Sequence, residues 1–239
     1  MGNSYFRFKQ FTVEQERAAM KVTTDACLFG AWTARDLRSS HGIEHIADIG
    51  TGTGLLSLMT AQQTTADIDA IDIDHAAAEQ AKSNVEASPW AERIRVFTGD
   101  AREYTFPRQY DVIISNPPFY ENELSSGNNQ KDMAHHDKGL RMNELLDIIA
   151  RNLKENGRFY LLLPFKRYAE IKQLISDCGM KLGKVYLVKQ TTSHDFFRVM
   201  VSGGKTDQKT ETHEIAIKGD NGEYSPEFHE LLRDYYLYL

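Results

Sequence analysis

Cysteine is scarce in this sequence, which has two, Cys27 and Cys178, among 239 residues. Two isolated cysteines provide neither a disulfide framework nor the paired spacing of a zinc site. We therefore expect a protein without a structural metal, in the reducing environment of the cytoplasm.

Long apolar runs are also missing. No stretch reaches the ~18 residues that a membrane-spanning helix requires. The first residues, MGNSYFRFKQF, lack the unbroken apolar core of a signal peptide. We expect no membrane partner. A content of 41% hydrophobic and 26% charged residues is that of an ordinary globular domain, long enough to bury a substantial core.

An overall excess of positive charge is absent, because the net charge is −6. This excludes a uniformly basic nucleic-acid binder. The charge is unevenly distributed, however: residues 1–40 carry +2, residues 41–150 carry −10, residues 151–209 carry +7 and residues 210–239 carry −5. A basic face formed by the first and third segments could follow the phosphates of a nucleic acid. Chance clustering on a solvated surface is the alternative.

The sequence does contain a regular alternation of strand and helix patterns. Strands are predicted at Ile43–Ile49, Ile68–Ile73, Arg93–Phe97, Tyr110–Ser115 and Arg158–Leu163. Helices are predicted at Leu55–Gln63, His75–Ala87, Asn143–Leu153 and Tyr168–Cys178, with Gly157 as a stop after the third. This order predicts a parallel sheet with right-handed crossovers and helices on both faces.

The pattern changes near the end of the chain. Lys184–Lys189 and Phe196–Ser202 are separated by a short linker, which predicts an antiparallel hairpin. Glu214–Lys218 is a candidate late strand, and Pro226–Tyr236 is predicted to be a closing helix. The predicted fold class is α/β, with a mostly parallel seven-stranded sheet and an antiparallel C-terminal hairpin.

A glycine-rich turn lies between the first predicted strand and the first helix, in ADIGTGTGLLSL. Gly50, Gly52 and Gly54 allow a tight turn and a close approach of backbone to a ligand. The dinucleotide fingerprint needs a small residue where Leu55 stands, so the NAD pattern fails. Glycines at this spacing, preceded by the acidic residue Asp48, favour a binding site for S-adenosylmethionine. A purely structural turn is the alternative.

Carboxylates follow the next two predicted strands. Asp72 lies 22 residues beyond Gly50, where a carboxylate can accept hydrogen bonds from ribose hydroxyls. Asp74 competes for this role but is better placed to cap the following helix. Asp100, in TGDAREY, is a candidate acceptor for an adenine amino group, with a plain turn residue as the alternative.

The fourth predicted strand ends in Asn116-Pro117-Pro118-Phe119. The prolines cannot continue a ladder, and they set the direction of the Pro117 carbonyl. That carbonyl and the Asn116 side chain can accept both hydrogens of a planar amine, which aligns its lone pair with a methyl sulfonium. Phe119 is expected to stack on the ring that carries the amine, with Tyr120 as a helper. A core role for Phe119 is the alternative.

These features follow different predicted strands. Because the carboxyl ends of parallel strands meet at one edge of a sheet, we expect the glycine turn, Asp72, Asp100 and Asn116 to surround one ligand site.

The motifs DIGTGTG, AIDID, GDA and NPPF together resemble the Rossmann-like class I methyltransferases that use S-adenosylmethionine and modify planar amino nitrogens. FRFKQFTVEQERAAMKVTTDACLFGAW, SPWAERI and EYSPEFHELLRDYYLYL are similar to the tRNA (adenine-N6) methyltransferases that act on adenine 37 of valine tRNA. The resemblance implies methyl transfer to the N6 amine of an anticodon-loop adenine. Because the sequence shows no convincing linker, we expect one compact unit: an N-terminal extension over residues 1–40 that packs at the cofactor site, and a methyltransferase domain over residues 41–239.

The resemblance assigns roles by motif. The cofactor-binding residues that it implies are Lys21, Thr23, Thr24, Asp25, Asp48, Gly50, Gly52, Gly54, Asp72, Asp100 and Asn116. Lys21 to Asp25 would line the methionine end. Asn116, Pro117 and Phe119 would be catalytic, and Pro118, Phe119 and Tyr120 would contact the substrate.

We expect the protein to act as a monomer. A tRNA partner implies contacts between basic side chains and phosphates. The candidate basic residues are Arg7, Lys9, Arg17, Lys184, Lys189 and Arg198. The NPPF motif alone also fits guanine N2 of ribosomal RNA or a protein glutamine. A third hypothesis is a non-catalytic RNA-binding protein, and the intact glycines with Asn116 and Phe119 argue against it.

Overall fold

The protein is described by a computed structural model, which covers residues 3–18, 20–117 and 140–239. Its main sheet has eight strands within these residues. They are β3 (His45–Ile49), β4 (Asp67–Asp72), β5 (Ile94–Thr98), β6 (Tyr110–Ser115), β7 (Leu153–Pro164), β8 (Lys181–Thr191), β9 (Phe196–Gly204) and β10 (Glu211–Lys218).

The strand order is β10-β8-β9-β7-β6-β3-β4-β5. Of these eight strands, β9 alone runs antiparallel to its neighbours, β7 and β8. The predicted α/β class and the antiparallel hairpin are therefore confirmed. The main sheet has eight strands instead of the predicted seven, because the candidate late strand at Glu214–Lys218 forms as part of β10, at the edge and parallel to β8.

Helices cover both faces of the sheet. They are α1 (Thr24–Arg38), α2 (Leu55–Ala61), α3 (His75–Glu86), α4 (Met142–Asn152), α5 (Tyr168–Asp177) and α6 (Pro226–Leu232). Alternate residues of each strand enter opposite cores, as the pleat requires. Ile46 packs with α1 and α2, whereas Ala47 packs with α4 and α5.

The helix α4 ends at Asn152, and β7 begins at once with Leu153. Gly157 was wrongly predicted to stop this helix. It lies inside β7, where an added Cβ would stand 2.8 Å from Cγ of Leu153. Glycine is therefore needed here, because a side chain at this position would collide with Leu153.

A small antiparallel hairpin precedes the main sheet. It consists of β1 (Tyr5–Arg7) and β2 (Thr12–Glu14). The backbone N–H of Lys9 donates to the carbonyl of Tyr235 at 2.8 Å, which ties the hairpin to the C-terminal segment. Phe8, Phe11 and Val13 enter the core beside α1.

No helix in the described ranges is both long enough and apolar enough to cross a membrane.

Candidate active site

The parallel register brings the ends of four strands to one level. Ile49 of β3 pairs with Ile71 of β4 on one side and with Ser115 of β6 on the other. Asp72 pairs with Thr98 of β5. The residues that follow these strands therefore meet at the carboxyl edge, as the sequence predicted.

A cavity of about 490 Å³ opens at this edge. Its lining includes four stretches and several single residues: Gly50–Thr53, Ile71–Asp74, Gly99–Arg102, Ser115–Pro117, Ala18, Met20, Lys21, Val22, Ala26, Ile49, Leu55, Leu56, Ala77 and Leu140. Ligand pockets of small molecules span roughly 300–1,000 Å³. The cavity is therefore large enough for a nucleoside-sized cofactor.

The glycine turn forms the floor of the cavity. Gly50, Gly52 and Gly54 have φ values of 74°, 58° and 82°, in the left-handed region that disfavours other residues. The Gly50 N–H donates to the carbonyl of Ile71 at 2.8 Å, which fixes the turn to β4. A Cβ at Gly50 or Gly52 would meet nothing within 4 Å, so open space lies beside this backbone.

Asp72 joins the turn to the end of β4. Its Oδ2 accepts the Gly52 N–H at 2.7 Å, and its Oδ1 accepts the Asp74 N–H at 2.9 Å. Burial raises the pKa of Asp72, and these N–H groups oppose that shift. A carboxylate has about four acceptor positions. Those that the Gly52 and Asp74 N–H groups do not use are left for other donors. Asp74 caps α3 by accepting the Ala76 N–H at 2.8 Å.

Asp48 lies beneath the turn and is fully buried. Its Oδ2 accepts from the hydroxyls of Thr51 and Ser57, each at 2.7 Å. Its Oδ1 has no hydrogen-bond partner among the described residues. Burial raises its pKa to about 6, against the two hydroxyl hydrogen bonds. Asp48 does not line the cavity, and its contacts are with the hydroxyls of the turn and of α2.

Asp100 follows β5 and is held by Arg102. The guanidinium donates from Nε to Oδ1 at 2.9 Å and from a terminal nitrogen to Oδ2 at 2.6 Å. These bonds keep the pKa of Asp100 below its ordinary value. Both side chains line the cavity.

Asn116 and Pro117 follow β6, the strand beside β3, and line the cavity. The Ser115 hydroxyl donates to the Ile49 carbonyl at 2.7 Å, which fastens the end of β6 to β3. Pro118, Phe119 and Tyr120 lie outside the described residues.

The chain has full-length relatives of known name. A tRNA1(Val) (adenine(37)-N6)-methyltransferase from Dyadobacter fermentans is 40% identical, over 98% of both chains. Those from Cytophaga hutchinsonii and Bacteroides thetaiotaomicron are each 39% identical, over 100% of both chains. Residues 34–194 also match the methyltransferase small domain family. The chain belongs to the tRNA1(Val) (adenine(37)-N6)-methyltransferase family.

Solved structures with little sequence identity share the fold. A predicted O-methyltransferase from Agrobacterium tumefaciens has a TM-score of 0.64 at 16% identity, over 87% of this chain and 95% of the other. A putative RNA methyltransferase from Pyrococcus horikoshii has a TM-score of 0.57 at 18% identity, over 81% and 88%. These likenesses confirm the Rossmann-like methyltransferase fold that the motifs implied.

The N-terminal part of this family member contributes a wall of the cavity through Ala18, Met20, Lys21, Val22 and Ala26. Asn84 of α3 holds the segment in place. Its amide accepts the Glu14 N–H at 2.9 Å and donates to the carbonyls of Glu14 and Thr53, at 2.8 and 2.9 Å. One side chain therefore connects the N-terminal strand to the glycine turn.

The structure separates the four residues of the KVTTDACLFG motif that were assigned to the methionine end. Lys21 lines the cavity, whereas Thr23, Thr24 and Asp25 are not among its lining residues. Thr23 caps α1 by accepting the Ala26 N–H at 3.4 Å. Asp25 accepts from Nε of Arg198 at 2.7 Å.

Several of the basic candidates have partners. Lys184 forms an ion pair with Asp36, and Lys189 lies 3.3 Å from Glu214. Arg198 pairs with Asp25. Lys9 donates to the Arg233 carbonyl. Arg7 and Arg17 are exposed on the N-terminal segment.

Ile73 and Arg102 are two of the lining residues that the sequence did not single out. Ile73 is 54% exposed although it is a large aliphatic residue, and it directly follows Asp72. Its signal was an apolar residue between two aspartates at a strand end. For Arg102, the only signal in the sequence was a cationic residue two positions beyond Asp100. Within the described residues, no group of three or more His, Cys, Asp or Glu side chains is arranged for a metal ion.

Proposed function

We propose that this protein transfers the methyl group of S-adenosylmethionine to the N6 amine of adenine 37 in the anticodon loop of valine tRNA. The observation that carries the proposal is the meeting of the glycine turn, Asp72 and Asn116-Pro117 around one cavity. The full-length identity to the three named relatives supports the choice of substrate.

The volume of the cavity and the residues that line it suit S-adenosylmethionine. Open space beside Gly50 and Gly52 admits a ligand directly against the backbone. The Asp72 carboxylate lines the cavity and can accept from the ribose hydroxyls, and the exposed side chain of Ile73 offers an apolar surface for a purine. Lys21 is the lining cation suited to the carboxylate of the methionine part. The bound cofactor supplies an electrophilic methyl group on a sulfonium.

Asp100 is proposed to accept a hydrogen bond from the adenine amino group of the cofactor. Asp48 is proposed to hold the glycine turn through Thr51 and Ser57, since it lies beneath the cavity wall. Thr23, Thr24 and Asp25 are proposed to affect the cofactor site indirectly. They form the start of α1, which places Ala26 at the cavity.

The acceptor amine is proposed to bind at Asn116 and Pro117. The side-chain carbonyl of Asn116 and the backbone carbonyl of Pro117 each accept one N–H. These two bonds draw the amine nitrogen out of conjugation and aim its lone pair at the methyl carbon. Neither residue has to remove a proton first, because the nitrogen loses its proton after the N–C bond has formed.

The proposed contacts of Pro118, Phe119 and Tyr120 rest on the NPPF motif. Phe119 would stack on the target adenine, with Pro118 and Tyr120 beside it. An anticodon-loop base must leave its stack to enter such a pocket.

An aromatic ledge lies beyond the acceptor site on the same edge. We define it as Phe165, Phe196 and Lys189. The rings of Phe165 and Phe196 are 5.1 Å apart, and Nζ of Lys189 lies 4.6 Å from the Phe196 centroid. Phe165 follows β7, the neighbour of β6, and Phe196 begins β9. Single-stranded RNA binds aromatic platforms by stacking, so we propose that bases flanking adenine 37 stack on this ledge.

We propose that the protein acts as a monomer on one tRNA in the cytoplasm. The N-terminal segment, residues 1–40, is proposed to complete the cofactor site through Met20, Lys21 and Val22.

The test compares two transcripts of valine tRNA, with adenine or guanine at position 37. The purified protein and radiolabelled S-adenosylmethionine should produce N6-methyladenosine in the first transcript and no incorporation in the second, as read by nucleoside mass spectrometry. Methylation of ribosomal RNA or of a protein glutamine, with the tRNA left unmodified, would refute the proposal.

A further inference from the structure

Arg198 lies near the start of β9, at the same edge of the sheet as the acceptor site. Because β9 runs antiparallel to β7, Arg198 pairs with Pro164, the last residue of β7. Pro164 lies three residues beyond the β7 partner of Ser115, which ends β6. Arg198 therefore stands at the height of Asn116 and Pro117, two strands away. Neighbouring strands are about 4.8 Å apart, so the two backbones are separated by roughly 10 Å.

A single hydrogen bond holds the guanidinium of Arg198. Its Nε donates to Oδ2 of Asp25 at 2.7 Å. Asp25 belongs to the first turn of α1, and its side chain is only 14% exposed, so this partner is part of the framework. A guanidinium has five N–H donors. In the ranges that the structure describes, the four on the terminal nitrogens have no hydrogen-bond acceptor.

These four donors are accessible from the surface. The side chain of Arg198 is 33% exposed. Among the described residues, the buried side-chain polar atoms that lack a hydrogen-bond partner do not include any atom of Arg198. Since its terminal nitrogens have no acceptor and are not buried, they face solvent. The ring of Phe197, whose centroid lies 5.5 Å from the guanidinium carbon, helps to fix their position.

A guanidinium that is anchored at Nε and open at both terminal nitrogens suits a phosphate. Two of its N–H groups can donate in parallel to two phosphate oxygens. The distance from the Asn116-Pro117 segment is similar to the span from the base amine of a nucleotide to its own phosphate. A nucleotide whose amine is bound at the acceptor site can therefore bring a phosphate to Arg198.

We propose that Arg198 binds a phosphate that flanks adenosine 37, with Asp25 orienting the guanidinium. The inference rests on the proposed function, because the acceptor amine at Asn116 and Pro117 is its fixed point. The contact forms once the adenine has entered the acceptor site. It therefore accelerates methyl transfer and does not strengthen the initial binding of the tRNA.

The experiment uses valine tRNA ligated from synthetic fragments. Two further versions carry a neutral methylphosphonate in place of the phosphate on the 5′ or the 3′ side of adenosine 37. In the wild-type protein, one of these replacements should lower kcat roughly tenfold, as expected for the loss of a charged hydrogen bond. The KM for tRNA should stay at its value for the unmodified substrate.

Arg198→Gln should lower kcat for unmodified tRNA by a similar factor. The methylphosphonate that slows the wild-type protein should then have no further effect, because the contact is already lost. Arg198→Lys should give an intermediate kcat, because lysine keeps the charge but not the paired donors. Calorimetry should show wild-type affinity for S-adenosylhomocysteine in Arg198→Gln, since Arg198 does not line the cofactor cavity.

Arg233→Gln is the matched control. Arg233 also pairs with a carboxylate, Glu230 at 3.0 Å, but it lies at the end of α6. Its variant should keep both the wild-type kcat and the methylphosphonate effect. If neither methylphosphonate slows the wild-type protein, or if both proteins are slowed equally, the inference is overturned while the proposed function stands. A wild-type protein that leaves unmodified valine tRNA unmethylated would instead refute the proposed function.

Discussion

At the scale of single residues, Asp48 and Asp72 show how one turn places two carboxylates in different environments. Asp72 faces the cavity and accepts from two backbone N–H groups. Asp48 faces the core and accepts from two hydroxyls. The first can bind a ligand, and the second can affect the ligand only through the turn. The sequence alone could not separate these roles, because both residues lie at or next to the last residue of an apolar strand.

The raised pKa of Asp48 predicts a pH-dependent stability. In the folded protein this pKa is about 6, whereas an unfolded aspartate titrates near its ordinary value. Between these values the folded state binds more protons, so the contribution of Asp48 is favourable at low pH and is lost as pH rises through about 6. Asp48→Asn removes this decline. Relative to wild type, its free energy of unfolding should gain roughly 2–3 kcal/mol between pH 4 and pH 7.

Urea unfolding at several pH values measures this difference directly. Asp207→Asn, at an exposed position, is the control and should follow the wild-type curve. Parallel curves for Asp48→Asn and wild type would contradict the prediction.

Asn116 carries the second residue-scale prediction. Asn116→Ala removes one of the two acceptors proposed for the amine, so kcat for methyl transfer should fall by roughly 10²–10³-fold. The affinity for S-adenosylmethionine should change less than about threefold, since the glycine turn and Asp72 remain. Tritium transfer and calorimetry measure the two effects. Asn152→Ala is the control, because Asn152 donates to the Ile148 carbonyl at the end of α4. Unchanged turnover would reject the acceptor role of Asn116.

At the scale of elements, the central strands were predictable from sequence and the N-terminal elements were not. The strand β6 was located at its observed bounds because YDVIIS is apolar and buried on both faces. The strands β1 and β2 have three residues each and depend on distant partners, such as Asn84 for Glu14. The contact between Asp25 and Arg198 joins residues 173 positions apart, which no local pattern reveals.

Asn84 carries the element-scale prediction. Its side chain is buried and makes three hydrogen bonds between β2, α3 and the glycine turn. Asn84→Ala should lower the free energy of unfolding by roughly 2–3 kcal/mol, because it leaves backbone groups unsatisfied. It should also weaken cofactor binding, because the N-terminal wall loses its connection to the turn. Gln173→Ala on α5, which removes an exposed amide, is the control for both measurements. Unaltered stability and affinity in Asn84→Ala would contradict the connection.

At the scale of the whole molecule, charge alone does not explain how an acidic protein would bind tRNA. The basic segment at 151–209 was predicted from composition to follow phosphates, but Lys184, Lys189 and Arg198 each lie beside a carboxylate. These pairs depend on the folding of α1 and β10 against β8 and β9, which composition does not reveal. We therefore expect stacking on the aromatic ledge to contribute more to tRNA affinity than these three cations do.

The ledge carries the last prediction. Phe196→Ala should raise the KM for tRNA by roughly tenfold, since stacking contributes about 1–3 kcal/mol per base. The dependence of tRNA affinity on salt should keep its slope, because no cation is removed. The affinity for S-adenosylmethionine should be unchanged, because Phe196 does not line the cofactor cavity.

Two control variants separate stacking from general effects. Tyr5→Ala removes an aromatic side chain that is 51% exposed on β1, distant in sequence from the ledge. Lys181→Ala removes a cation at the opposite end of β8 from Lys189. Neither should raise the KM as Phe196→Ala does. If Phe196→Ala leaves the KM unchanged, or if Tyr5→Ala raises it equally, then flanking bases do not stack on the ledge, and the tRNA must approach the acceptor site from another side.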